Sequence, residues 1–600
     1  MRHSHVAGLV SRTLSGIALL TVAGALPWLS QRDPAASILR ARYAELEPTP
    51  DALDAVRAEL GLEGGPLATS LRWWSHALRG DLGRSWVSGG EVGPGVWHAL
   101  GVSLTLTGFA MAVALAVAAG LVAPAVTRIA RDRPPRGSGP VGVALTALPE
   151  FLLASVVLVV VAVQLRWLPP YGWSGLDTAV LPALALGIPA GGLLGRLFAD
   201  ALGGVGEERW VEVWRLAGAR RRVLVGGVLR RAGAAVVDQA GLVVIGLLGG
   251  AVAVEQVFAI PGLGRYLLGA ANAQDLPALQ AGVLLMALAA IVVGLLTGAA
   301  RRALRGGPLP AGALPSPPEP RGDGRAARVT VAVALGILAL LFATGLPRDP
   351  YALASPRLSP PSLALPFGAD ASGRDLLGRV AHGTVGTLLP AFVIVALAIV
   401  VALLLAVAGE IARGPAEIAN ATPPILAGVI VAALWGPSVG GAALAVLWVT
   451  WPPLTTHAAA LIDEALAAPH VKWMPLSGAS RAEIWLRHVL PATLGPLVRH
   501  GMLRLPGVAL ALAALGFLGL GAQPPQPEWG LLLSEGIDYV ERAPWTTLAP
   551  ALALVTTSVL AVAAAGLRPR RRVRARADAD RENAESHDRT LTGVAGAPLD

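Results

Sequence analysis

Apolar runs of about 20 residues recur along nearly the whole chain, separated by short, arginine-bearing connections. A bilayer core takes about 20 apolar residues per helix. A backbone in lipid must satisfy its own polar groups, which helices and closed barrels alone achieve. The run length fits helices. Charged residues are 14% of the 600 and hydrophobic residues 54%, whereas soluble domains carry roughly a quarter charged. The expected fold class is therefore all-α: a polytopic membrane protein of about twelve transmembrane helices in two similar halves.

Six runs fall in the first half, at residues 10–29, 100–126, 141–163, 179–201, 236–253 and 279–299. Six follow, at 329–342, 387–407, 423–434, 440–461, 501–520 and 548–567, of which those at 329 and 423 are short. The run at 10–29 has Arg2 and Arg12 in or ahead of it and no persuasive small-residue cleavage site after it, so it is expected to be a retained anchor rather than a signal peptide. Arginine crowds alternate connections: Arg128, Arg131, Arg133 and Arg136; then Arg209, Arg215, Arg220, Arg221, Arg222, Arg230 and Arg231; then Arg301, Arg302 and Arg305; and finally Arg568 onward. The opposite connections hold Trp167, Tyr171 and Trp173 and little arginine. By the positive-inside rule both termini are expected in the cytoplasm.

The division expected is a first half at 1–305, a Pro- and Gly-rich cytoplasmic linker at 306–328, a second half at 329–570 and a disordered cytoplasmic tail at 571–600. Longer external loops fall at 31–97 and 348–386, with a short helix expected from Pro50 to Leu60. Before its last two spans each half has a long cytoplasmic connection, 206–235 and 465–500. Both read helix, glycine, helix, broken at Gly218 and Gly478, where glycine permits the turn.

Several chemistries are excluded. There is no cysteine, so disulfides and thiolate chemistry are out. Lys472 is the only lysine and no glycine-rich loop surrounds it, so the chain has no phosphate-binding loop of the Walker type. The positive charge is spread over connections rather than along one face, which argues against a nucleic-acid partner. No histidine cluster in the spans points to a metal. Few ionisable groups sit in the apolar runs, and Glu150, Asp238 and Glu255 lie at or near span ends or midway at most, which argues against a proton- or sodium-coupled carrier. Asp238 is a candidate pore-lining residue; the plainer alternative is a helix-end residue satisfied by nearby backbone.

The connection at 206–235 resembles the coupling loop of ABC importer permeases, with Glu212, Val213 and Trp214 at the Glu-Ala-Ala positions, Arg215 beside them, and Gly218 at the family's spacing. Arg230 and Arg231 stand where that pattern has Leu-Pro. The second loop has Lys472, Trp473, Met474 and Gly478, and keeps Leu490 and Pro491. The flanking motifs are more specific. Leu-Arg-Gly-Asp-Leu-Gly-Arg-Ser at 78–85, with Asp81 and Arg84, and Val-Glu-Gln-Val-Phe-Ala-Ile-Pro-Gly-Leu-Gly at 254–264, with Glu255, Pro261, Gly262 and Gly264, resemble one permease subunit of dipeptide and oligopeptide importers. The second half resembles the partner subunit: Phe-Gly-Ala-Asp-Ala-Ser-Gly-Arg-Asp at 367–375, with Asp370, Arg374 and Asp375, then Gly-Phe-Leu-Gly-Leu-Gly at 516–521, with Gly519 and Gly521, then Trp529-Gly530. The protein thus resembles both permease subunits of a peptide-type importer fused into one polypeptide.

That resemblance implies two six-helix halves related by a pseudo-twofold axis, in a bacterial inner membrane, passing peptides or related small solutes such as nickel chelates. It implies no enzymatic activity and no cofactor: ATP is bound by two separate ABC ATPase subunits that dock on the coupling loops, and an external solute-binding protein delivers the substrate. Trp214 and the Arg230–Arg231 pair depart from the pattern, so the second loop is expected to carry the stronger coupling. The competing readings are a gradient-driven secondary carrier and a transport-deficient membrane scaffold.

Overall fold

A computed structural model describes residues 34–42, 49–60, 65–133, 137, 139–146, 148–305, 324–407, 415–416, 419 and 424–565. The expected span at 10–29, the linker at 306–323 and the tail from 571 lie outside them. Among the described residues the regular structure is helical, joined by turns and loops, with two isolated bridges, Arg84 to Glu91 and Ala369 to Asp375.

In the first half, α1 (Pro34–Arg42), α2 (Pro50–Glu59) and α3 (Gly65–Ala77) precede the long α4 (Val92–Ala130). There follow α5 (Gly139–Thr146), α6 (Glu150–Val157, running into a π-turn at Leu158–Gln164), α7 (Leu176–Gly206), α8 (Arg209–Leu216), α9 (Arg221–Val257), α10 (Leu263–Asn272) and α11 (Leu276–Arg305). The second half repeats this order with α12 (Gly324–Gly345), α13 (Leu376–Val407), α14 (Pro424–Trp435), α15 (Val439–Ala467), α16 (Pro469–Trp473), α17 (Arg481–Ile484), α18 (Leu490–Met502), α19 (Leu505–Phe517), α20 (Trp529–Ile537) and α21 (Trp545–Ala565).

Every expected span within the described residues coincides with a helix, but not every helix is a full span. Six are long and apolar enough to cross a bilayer, or seven if α17–α18 and α19, bent by 43°, count as one. Within the run at 141–163 one helix ends at Thr146 and the next starts at Glu150, because Pro149 has no N–H and disfavours helix in the residue before it. The run at 423–434 is only the 12-residue α14. Several expected boundaries move. α12 starts at Gly324, inside the expected linker; α13 starts at Leu376, inside the expected external loop; and α9 is continuous from Arg221, so the first coupling connection is shorter than 206–235. Helical hydrogen bonding carries straight on from lipid into the aqueous layer, and hydropathy marks the change of solvent rather than the helix end.

Helix pairing within the halves differs in its chemistry. α4 and α7 meet along a stripe of small residues. A Cβ added at Gly187 would lie 2.5 Å from the Ala110 carbonyl oxygen, and one at Gly191 would lie 2.6 Å from that of Ala114. With no solvent-driven force between helices in lipid, such close backbone approach supplies the van der Waals contact. Gly191→Leu is expected to destabilise the protein by at least about 1–3 kcal/mol, whereas Gly108→Leu, into open space, is expected to leave it unchanged; equal unfolding temperatures in detergent would count against the stripe. Across the halves, α14 packs on α9 and α10, α5 on α21, and Phe151 meets Phe517 with ring centroids 5.4 Å apart. Outward faces are apolar: Ile291, Leu295, Leu340, Val393, Val400 and Leu404 are exposed. That is the surface lipid requires.

Candidate functional site

The two helix–glycine–helix loops run in register, residue n of the first matching n+260 of the second. α8 ends, Gly218 turns at φ 71°, and α9 begins; α16 and a 3-10 turn (Met474–Ser477) end, Gly478 turns at φ 81°, and α17 begins. The Ala219 N–H donates to the Trp214 carbonyl at 3.0 Å, as Ala479 does to Met474 at 3.3 Å. Val211 and Val471, Leu224 and Ile484, and Val228 are buried under the loops, as is Val489. Outward, Val213 is 60% and Trp473 62% exposed, and Leu216 and Leu476 84% and 78%. Both loops thus hold out apolar side chains at the same two positions, with Glu212 and Lys472 exposed beside them, and the first loop also leaves Trp214 exposed.

The departures of the first loop have local reasons. Trp214 packs edge-on against Trp210 at 5.1 Å. Arg215 is ion-paired to Asp132 at 3.3 Å. Arg231 binds Glu208 at 2.5 Å, and Arg230 donates to the carbonyls of Leu304 and Ala303 at the end of α11. The two arginines pin the loop to its own half. In the second loop Pro491 cannot donate to its i−4 carbonyl, and the ladder opens into a π-turn at Trp485–Val489, where Leu490 N–H reaches back to Trp485.

At the opposite ends of the spans each half carries a buried carboxylate under a short helix. In the first, the Ser103 hydroxyl donates to Glu255 Oε1 at 2.6 Å and accepts from Leu263 N–H at 2.7 Å, while Arg265 N–H donates to Oε2 at 2.9 Å. Glu255 so caps α10. A Cβ at Gly262 would lie 2.1 Å from that carboxylate, and one at Gly264 2.4 Å from Val252, which explains both glycines; Pro261 is exposed at the turn. In the second half Thr387 donates to Glu528 Oε1 at 3.0 Å and accepts from Trp529 N–H at 3.3 Å. The N–H groups of Gly530 and Leu531 donate to Glu528, each at 2.9 Å. One hydroxyl, one glutamate and one helix N-terminus recur, but the glutamate comes from the end of α9 in one half and the start of α20 in the other. Gly516 leaves the room: its Cβ would lie 2.1 Å from Glu528 Oε2. Gly519 turns the backbone at φ 73°, and a Cβ at Gly521 would lie 3.2 Å from Gly516.

Burial pushes the Glu528 carboxyl up to about 7, against the pull of the Gly530 and Leu531 N–H groups and the Thr387 hydroxyl. A carboxyl raised on folding binds its proton more tightly in the native state. Its contribution is therefore full below its ordinary value of 4.5 and is lost as pH rises through about 7. Glu528→Gln is expected to flatten the fall in stability between pH 5 and 8 by roughly 3 kcal/mol at about 1.4 kcal/mol per unit. Parallel pH profiles of wild type and variant would refute this.

Around the second glutamate lies an ionic cluster. Asp370 Oδ2 accepts from Arg374 Nε at 2.7 Å and from the fully buried Arg379 at 2.6 Å, and Arg379 also reaches Glu535 at 2.6 Å. Burial alone would raise Asp370, but the Arg374 N–H, the Arg379 guanidinium and the Ser372 N–H leave it below its ordinary value. Asp375 accepts the N–H groups of Leu377 and Gly378 at the start of α13 and binds Arg348 at 2.5 Å. Trp529, wholly buried, donates to the Val380 carbonyl at 2.9 Å. The first half has a lighter counterpart, in which Asp275 accepts from the Ser85 hydroxyl and from Trp86 N–H. Asp81 and Arg84 are exposed; the Gly83 N–H above all holds the Asp81 carboxyl below its usual range.

Asp238 does not sit at a helix end. It lies midway along α9 and is ion-paired to Arg301 of α11 at 2.7 Å, on an exposed face. Its partner is a side chain, not backbone. Glu528, Thr387, Ser103 and Glu535 escape sequence reasoning: the hydroxyl–glutamate pairs Ser103–Glu255 and Thr387–Glu528 and the Arg379–Glu535 ion pair each join residues more than 100 apart, and only the N-cap contacts of Glu528 to Gly530 and Leu531 are local. Arg504, a charge inside the run at 501–520, escapes it too.

The model of the family described as binding-protein-dependent transport system inner membrane component matches twice, over residues 116–306 and 384–574. The di/tripeptide transport system permease protein DppC of Pseudomonas aeruginosa is 34% identical over 204 residues, 33% of this chain and 67% of that protein. The dipeptide transport system permease protein DppC of Alkalihalophilus pseudofirmus is 32% identical over 229 residues, 36% and 75%. The glutathione transport system permease protein GsiC of Escherichia coli is 33% identical over 253 residues, 40% and 79%. Each of these matches covers between 33% and 40% of this chain. The protein belongs to the family of inner membrane components of binding-protein-dependent transport systems and carries two of its domains in one polypeptide.

Proposed function

We propose that this protein, the multi-pass permease component of an ABC importer, forms by itself the whole pathway for small peptides. The observation that carries this is the tandem pair of family domains, each with its own glycine-turned loop holding out apolar side chains at the same two positions. Similarity to dipeptide and glutathione permeases supports peptides as the substrate class. Both termini lie in the cytoplasm, an external solute-binding protein presents the peptide, and ATP is bound and hydrolysed only by two ATPase subunits, one docked on each loop. The permease itself breaks no bond. In this arrangement Val213, Leu216, Trp473 and Leu476 enter grooves on the ATPases, with Glu212, Arg215 and Lys472 at the rim. The boundaries 1–305 and 329–570 serve as the two halves, with the segment between them joining them on the ATPase side. The external clusters around Asp370 and Glu255 hold the short helices α10 and α20 that face the binding protein.

The test is reconstitution in proteoliposomes with the two ATPases and the binding protein. Peptide uptake should require ATP and persist when ion gradients are collapsed; uptake that follows a gradient without ATP would favour a secondary carrier. The second loop carries the stronger coupling. Gly478→Asp, which forces a β-carbon and its carboxylate into a left-handed turn, is expected to reduce binding-protein-stimulated ATP hydrolysis at least tenfold, and Gly218→Asp less. A greater loss from the Gly218 change would reverse the order.

A further inference from the structure

The register that relates the two halves exposes one place where they part company in mid-membrane. At positions 457, 500 and 504 the second half has His457 on α15, His500 on α18 and Arg504 at the α18–α19 break; 260 residues earlier the first half has Leu197, Ala240 and Val244. The fold therefore does not need polar groups there. The backbone differs at the same level: α9 runs unbroken through its equivalent residues, whereas α18 and α19 are bent by 43°, with Pro506 removing a donor at the second position of α19. Arg504 lies about 20 Å along the helix from its outer end at Phe517, well inside a bilayer core.

The three side chains form one cluster. The rings of His457 and His500 are stacked, centroids 4.4 Å apart, and Arg504 lies within electrostatic reach of His500. Stacked face to face, the rings present their nitrogens outward around the rim rather than converging them on one point, which does not suit a metal ion. Among the described residues Arg504 Nε is buried without a hydrogen-bond partner, and no ion pair includes its guanidinium. The charge at comparable depth in the first half, Arg196, has Asp200 one turn along α7 within coulombic range. A permanently charged guanidinium with no counter-charge among the described residues, only partly buried at this depth, faces either lipid or water. The lipid option is costly, and such residues turn to bundle interiors or water-filled cavities. The elements that bear the cluster adjoin the boundary between the halves: α14, which contacts α9 and α10, packs on both α15 and α19, and α19 carries Phe517 against Phe151.

We propose that Arg504, with His457 and His500, forms an anion-binding subsite on the translocation pathway that receives a carboxylate of the passing peptide. The inference rests on the peptide reading above. Every linear peptide with a free C-terminus carries a backbone carboxylate whatever its side chains, so one planar guanidinium fork, which matches carboxylate geometry, serves substrates of many sequences. The imidazole rims add N–H donors. Only one half supplies the subsite, which gives the pathway a direction in which the peptide's ends are distinguished.

The test uses the permease–ATPase complex in nanodiscs, titrated calorimetrically with alanyl-alanine, with its C-terminal amide, and with aspartyl-alanine amide, whose only carboxylate is on a side group. Wild type should bind alanyl-alanine at least tenfold more tightly than its amide. Arg504→Gln should erase that preference and Arg504→Lys keep part of it, with ATPase docking unchanged. Tight binding of the aspartyl amide as well would mean that any carboxylate is accepted; its failure would assign the subsite to the terminal carboxylate of the peptide backbone. No preference in wild type, or a preference intact in Arg504→Gln, overturns the proposal. Should Arg504→Gln not assemble, the pair His457→Leu and His500→Ala, the residues of the first half, must weaken the preference instead. Uptake of labelled alanyl-alanine by wild-type proteoliposomes, with ATPases and binding protein, judges the peptide reading separately. Uptake that is equal in Arg504→Gln sinks the subsite and leaves that reading standing.

Discussion

Asp370→Asn is expected to destabilise the protein by about 3–5 kcal/mol, the usual loss when one member of a buried ionic group is removed and its partner is left behind. Asp370 Oδ2 holds both Arg374 and Arg379, and Arg379 is wholly buried with Nε already lacking a partner. Asparagine can accept a hydrogen bond but brings no charge, so two guanidinium groups would share the one carboxylate of Glu535. The cluster joins the loop before α13 to α20, so the damage should be local first: faster amide exchange in α20 and the start of α13, with the coupling loops unaffected. A lowered unfolding temperature together with that exchange pattern checks the prediction. An unfolding temperature within about 1 °C of wild type, with exchange unchanged, would mean that the cluster contributes nothing net. The double variant Asp370→Leu, Arg379→Met should lose less than Asp370→Asn alone, because a shape-filling apolar pair leaves no orphaned charge.

Trp473→Ala is expected to weaken retention of the ATPase subunits by roughly 30-fold, the effect of losing about 2 kcal/mol at an aromatic anchor. Val213→Ala, at the equivalent position and equally exposed, removes far less apolar surface and should cost only a few-fold. The exposures of Leu216 and Leu476 are close, so their truncations should cost similar amounts. This ranking gives the stronger second loop a physical reason apart from the Trp214 departure, which the Trp210 contact absorbs. Co-purification of the ATPases at graded detergent and salt, measured for each variant, decides the order. Val213→Ala costing more than Trp473→Ala would place the stronger contact on the first loop.

The legibility of the sequence followed the range of the interaction concerned. Gly218 and Gly478 were visible because a left-handed turn between two helical runs is a local demand. Gly262 was visible as part of a motif, but its reason, the Glu255 carboxylate against which no Cβ fits, was not. The partner of Asp238 was hidden for the same cause. The sequence suggests a helix-end residue satisfied by backbone, but Asp238 lies mid-helix and its partner Arg301 is on another helix 63 residues on. Glu528 was hidden because its partner hydroxyl, Thr387, is 141 residues away.

The sequence by itself determined the membrane class, the duplication and the positions of the two loops, since each rests on solvent preference or backbone geometry that a short stretch carries alone. The tertiary structure decided which charges are paired, where helices continue past their apolar cores, and that two different glutamates occupy equivalent caps in the two halves. It also set Arg504 beside two histidines with no counter-charge among the described residues. Pairing, capping and isolation of charge depend on separations of a few ångströms between helices far apart in the sequence, and no periodicity within a helix records them.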